Sequence, residues 1–147
     1  MTKYQIKWQN GPMETATFES HLATIEKQGY CIIENAIEPE LLLEVTETVE
    51  RLEAELDVQP RGNRAEGFAT KRMYNLLGKD RAFWKLPTHA NVLPFAESLL
   101  DNECLLSGTT CMNIGPGEVH QGLHSDDGLV SGQRPRVPFM VTSIWAL

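Results

Sequence analysis

The apolar positions of this chain change period as the chain proceeds. Near the start, Tyr4, Ile6 and Trp8 alternate with Lys3, Gln5 and Lys7, the two-residue repeat of a short, half-buried strand. Phe18, Leu22 and Ile25 then follow a helical spacing, and Gly29 is placed to end it. The run YCIIENAI predicts a short buried strand and a turn. Leu42, Val45, Val49, Leu52 and Leu56 recur every three or four residues behind Pro39, which predicts an amphipathic helix over 38–57. The opposite face carries Glu40, Glu44, Glu47, Glu50 and Glu53, read as a solvated surface rather than an acidic docking face.

Beyond this helix the pattern loosens. Residues 58–72 contain proline, two glycines and four basic residues and predict a mobile loop, a candidate substrate cover or a plain surface connection. Tyr74, Leu77 and Phe83 predict a helical stretch over 73–86, and residues 91–100 a short helix with proline near its start. From Glu103 onward the sequence reads as extended, with turns. Near its end, Phe139, Val141, Ser143 and Trp145 alternate with Met140, Thr142, Ile144 and Ala146, a strand pattern. Helices early and strands late favour an α+β fold over a parallel α/β sheet.

Composition narrows the classes. The chain has 147 residues, room for one domain. Its 41% hydrophobic and 22% charged content fits a globular protein. A net charge of -7 argues against a nucleic-acid surface as the main business. Cys31, Cys104 and Cys111 show no framework spacing, which suggests a reducing compartment. No run reaches the length of a membrane span and no signal-like apolar core opens the chain, so a cytoplasmic protein without a membrane partner is expected.

The concentrated chemistry lies in EVHQGLHSDDGL, residues 118–129. On an extended backbone, His124 and Asp126 share a face while Ser125 points away. One imidazole and one carboxylate are two of the three ligands of the facial 2-His-1-carboxylate site for ferrous iron. The bland reading is polar loop residues capping turns. His120 stands four residues before His124, but the glycines at 117, 122 and 128 make a helical zinc pair a poor fit. A partly exposed position, or a hydrogen bond to a metal-binding side chain, suits His120. A zinc hydrolase using His120, His124 and Asp126 is the weakest reading. His21 and His89 read as surface histidines, and Asp127 as a turn cap or a neighbour's hydrogen-bond partner.

The wider string MNIGPGEVHQGLHSDDGLV, followed by RPRVPFMVTSIWAL, resembles the phytanoyl-CoA dioxygenase family. GYCIIENAIEPELLLEV and TKRMYNLLGKDRAFWKLPTHANVLPFAESLL resemble its upstream strand and helices, so the likeness covers roughly residues 15–147. It implies a double-stranded β-helix (jelly-roll) with helices packed outside: residues 1–100 mainly helical, and residues 101–147 the first jelly-roll strands with the HxD motif. It also implies an oxygenase using Fe(II), 2-oxoglutarate and O2 to hydroxylate a small organic substrate. His124 and Asp126 match the metal ligands. Gln121 matches a 2-oxoglutarate contact, Arg72 a basic residue near that cosubstrate, and Trp145 an aromatic lining its pocket. Read from the residues alone, Arg72 is equally a surface arginine, whereas Trp145 in an alternating strand is more often a core residue than a site residue.

The family's third ligand, a histidine in a later GSH-type segment, and an arginine beyond it for the far carboxylate of 2-oxoglutarate have no counterpart in the 147 residues. The expectation is therefore a single incomplete oxygenase domain over residues 1–147. It would be inactive or poorly folded as it stands, because two ligands hold iron less well than three and 2-oxoglutarate loses a bidentate anchor. The rival from another class is a non-catalytic jelly-roll with a vestigial metal site. Substrate and oligomeric state stay open.

Overall fold

The computed structural model describes residues 13–128 and 130–147, so the alternating segment at Tyr4–Trp8 lies outside the described residues. Helix α1 runs Thr15–Gln28. It ends where expected: Gly29 takes φ 86°, a left-handed conformation open to glycine, and its N–H donates to Ile25 O at 2.7 Å. Phe18 of α1 stacks on Phe95 with ring centroids 4.6 Å apart.

Helix α2, Pro39–Glu55, is the spine of the molecule. Proline at its start costs no hydrogen bond, because the first N–H groups of a helix have no internal acceptor. The buried stripe is Leu41, Val45, Thr48, Val49 and Leu52. Leu42 is half-buried, and Leu56, at 50% exposure, lies past the helix end. Thr48 is tolerated inside because its hydroxyl donates to Glu44 O at 2.7 Å.

Strand β1, Lys71–Tyr74, pairs antiparallel with β2, Thr110–Asn113, placing Lys71 opposite Asn113 and Met73 opposite Cys111. Between the strands lie two 3-10 turns, Leu76–Gly78 and Arg81–Lys85, and helix α3, Leu93–Leu99. Asp80 caps the second turn by accepting from Ala82 N at 2.9 Å. The core joins Leu41, Val45, Val49 and Leu52 of α2 to Met73, Leu76 and Phe83. Glu53 of α2 takes Lys71 Nζ at 3.3 Å and Asn113 Nδ2 at 3.0 Å, clasping both strands at one register position.

The architecture is mixed α and β: three helices and one two-stranded antiparallel sheet among the described residues. Three sequence expectations need correction. Residues 30–37 form no strand. Tyr30 and Ile32 are exposed, and Asn35 turns the chain at φ 53°. The helix expected over 73–86 is replaced by β1 and the two 3-10 turns, because a sheet partner and Asp80 capture the backbone there. The alternating residues 139–146 form no strand among the described residues; with no paired neighbour, Phe139 and Ile144 stay exposed. No helix among the described residues is long and apolar enough to cross a membrane.

Candidate metal centre

The centre is built on the loop that follows β2. Gly115 admits a close approach: a Cβ there would stand 2.5 Å from Ala69 O. That contact seats the loop on the segment before β1. Glu118 then fastens it. One carboxylate oxygen accepts from Ala69 N at 2.7 Å and Thr70 Oγ1 at 2.8 Å, and the other from Val119 N at 2.9 Å. These donors, the Thr70 hydroxyl first, hold the Glu118 carboxyl down to about 2. Gln121 adds a stitch, with Nε2 donating to Ala65 O at 2.7 Å.

Three residues on, the chain presents His124 and Asp126. His124 Nε2 and Asp126 Oδ1 stand 3.2 Å apart, with side chains 58% and 53% exposed. His124 Nδ1 lies 2.9 Å from Gly122 O. A carbonyl oxygen only accepts, so Nδ1 carries a proton, and in the neutral ring Nε2 is the nitrogen with a lone pair to offer a metal. Asp126 Oδ2 accepts from Thr142 Oγ1 at 3.2 Å, which leaves Oδ1 facing that nitrogen. Two lone pairs so placed repel unless a proton or a cation lies between them. Two donors about 2.1 Å from one metal and at a right angle stand about 3.0 Å apart. The pair therefore fits two adjacent positions of a divalent ion, with Gly122 and Thr142 as supports behind each donor. Among the described residues no group of three His, Cys, Asp or Glu side chains converges. His120 is exposed.

Asp127 faces other partners. Its Oδ2 takes Arg136 Nη2 at 2.6 Å, and its Oδ1 takes Arg134 Nη2 at 2.5 Å and the Ser125 hydroxyl. These donors, Arg136 foremost, hold its carboxyl well below the usual carboxylate range.

The remaining expected site residues lie in three other sets of contacts. Arg72, on β1, donates from Nε to Glu66 O at 2.7 Å and from Nη1 to Met112 Sδ at 3.1 Å. Gln121 is held by Ala65, as above. Trp145 meets the ring of His89 edge-on, with centroids 5.0 Å apart. The hydrogen bonds and ring contacts of the described residues join none of the three to His124 or Asp126.

His89 corrects its expected surface placement. It is buried; Asn91 N donates to its Nδ1 at 3.1 Å, so Nε2 carries the proton and donates to Glu38 at 3.0 Å. The sequence reading missed Gly122, Thr142 and Glu118 as supports. The signals were a threonine on the alternating face of 140–146 and a glutamate within the glycine-rich approach.

The family model for phytanoyl-CoA dioxygenase (PhyH) matches residues 25–147, a stretch that takes in α2, both strands and the His124–Asp126 loop. No solved structure matches the chain.

Proposed function

Because the chain belongs to the phytanoyl-CoA dioxygenase family, we propose that it is an Fe(II)- and 2-oxoglutarate-dependent oxygenase of a small organic substrate, with His124 and Asp126 as its metal-holding pair. The single observation that carries this reading is the 3.2 Å approach of an imidazole nitrogen to a carboxylate oxygen, each backed by its own hydrogen-bond partner. Iron bound there would supply activation of O2 at the expense of 2-oxoglutarate.

The protein's own residues set the stage. Gly122 O fixes the ring tautomer, Thr142 orients the carboxylate, and Glu118 and Gln121 hold the loop to the segment before β1. We assign Gln121, Arg72 and Trp145 to the 2-oxoglutarate side, and read β1 and β2 as the start of a jelly-roll with the helices outside. With two protein donors, iron is held loosely, and the 147-residue chain by itself is expected to release little succinate.

Anaerobic Fe(II) with 2-oxoglutarate tests the assignment. A visible charge-transfer band above that of the two reagents alone is expected with the chain and absent in His124→Ala and Asp126→Ala. An equal band in either variant overturns the ligand pair. A second reading, a binding protein with a vestigial site, draws on the absence of a third converging donor among the described residues. It requires that the chain add no band at all.

A further inference from the structure

Two carboxylates stand side by side at positions 126 and 127, and two arginines lie within ten residues of them, at 134 and 136. An arginine on the metal-facing carboxylate would offset its charge and occupy its lone pairs. In the structure both arginines go to Asp127. Arg136, with a side chain only 11% exposed, donates to Asp127 Oδ2 at 2.6 Å and to Asp127 O at 3.3 Å. Its other terminal nitrogen reaches Val130 O at 2.9 Å and Gly132 O at 3.4 Å. Arg134, 57% exposed, donates to Asp127 Oδ1 at 2.5 Å and to Ser125 Oγ at 3.0 Å. The turn itself is closed by Gly128 N on Ser125 O at 3.0 Å and Val130 N on Asp127 O at 2.9 Å. Asp126 is left with a neutral donor, Thr142, behind it and His124 in front.

We propose that Asp127 is a positioning residue that draws Arg134 and Arg136 away from Asp126, leaving the Asp126 carboxylate without an arginine partner and open to a divalent cation. The proposal rests on the metal reading above and adds a division of labour to it: of two adjacent aspartates, one meets the metal and the other holds the competing cations. Arg134 is the competitor that matters, since it is the more exposed and is not tied to the loop carbonyls as Arg136 is.

Co(II) serves as the probe, its binding followed through hyperfine-shifted imidazole resonances in proton NMR. Asp127→Asn keeps the size and loses the charge. It is expected to weaken Co(II) binding about 10- to 100-fold, the range for a partner behind a metal ligand. Adding Arg134→Gln to Asp127→Asn is expected to restore most of the loss, which a merely structural role for Asp127 would not produce. Asp127→Glu, which keeps the charge, is expected to bind Co(II) much as the parent does. Unchanged affinity in Asp127→Asn, no recovery in the double variant, or an equal loss in Asp127→Glu each overturns the proposal. His124→Ala separates the two levels of the argument: if it keeps the shifted resonances, the metal site itself is refuted, whatever Asp127 does.

Discussion

His124 Nδ1 is engaged by Gly122 O while Nε2 faces Asp126 Oδ1, so for the neutral ring the fold selects the tautomer with its proton on Nδ1. Nitrogen-15 NMR at mildly alkaline pH is expected to show a protonated Nδ1 and a pyridine-like Nε2. The opposite tautomer would break the link to Gly122. Glu118 offers a second residue-scale check, through pH. Its carboxyl is held down to about 2, by the Thr70 hydroxyl first and then the Ala69 N–H. A depressed carboxyl stabilises the fold above its unfolded value of about 4.5 and loses that contribution as pH falls toward about 2. The Ala69 amide resonance is therefore expected to move over that window in the parent and to stay flat there in Glu118→Gln; a midpoint near 4.5 in the parent would mean that the clamp is not formed. The sequence displayed the chemistry of this site in part. The residue types and spacing of His124 and Asp126 are visible in one dimension. The groups that orient them are a backbone carbonyl and a threonine sixteen positions further on, and only the folded loop brings those into reach.

The elements divide by how locally they are determined. Helix α2 was legible because its burial is written at helical spacing and its entry is marked by Pro39. Gly29 likewise announced the end of α1. Strand β1 was not legible. Its four residues, Lys71, Arg72, Met73 and Tyr74, carry one buried side chain, and the pairing that makes them a strand comes from Thr110–Asn113. Strand identity there is a tertiary property. The 3-10 turn Arg81–Lys85 is equally contextual, because it forms where Phe83, 1% exposed, is drawn into the core beside α2. Phe83→Ala would remove the side chain that joins this turn to α2, with an expected loss of about 3–5 kcal/mol in urea unfolding. A loss below about 1 kcal/mol would show that the site collapses around the deletion or that the turn adds little to the core.

At the scale of the whole molecule, burial is uneven. Every residue of the core cluster lies between Leu41 and Phe83. Leu105, Leu123 and Ile144, by contrast, are 92%, 107% and 83% exposed. The loop with His124 and Asp126 is therefore tied down by discrete polar clasps, at Glu118, Gln121 and Asp127, rather than by a shared apolar interior. Local opening costs less where few apolar contacts must break. Amide hydrogen exchange is expected to be slowest in α2 and around Met73–Phe83 and fast from Gly115 onward. Equal protection in both regions would contradict the uneven burial. A metal that binds only the closed loop stabilises it by mass action, so Co(II) is expected to slow exchange at residues 122–128 as its concentration rises. That slowing should vanish in His124→Ala while α2 keeps its parent rates. If Co(II) slows α2 and the loop alike in the variant, the ion acts elsewhere on the chain, and the His124–Asp126 loop is not where it binds.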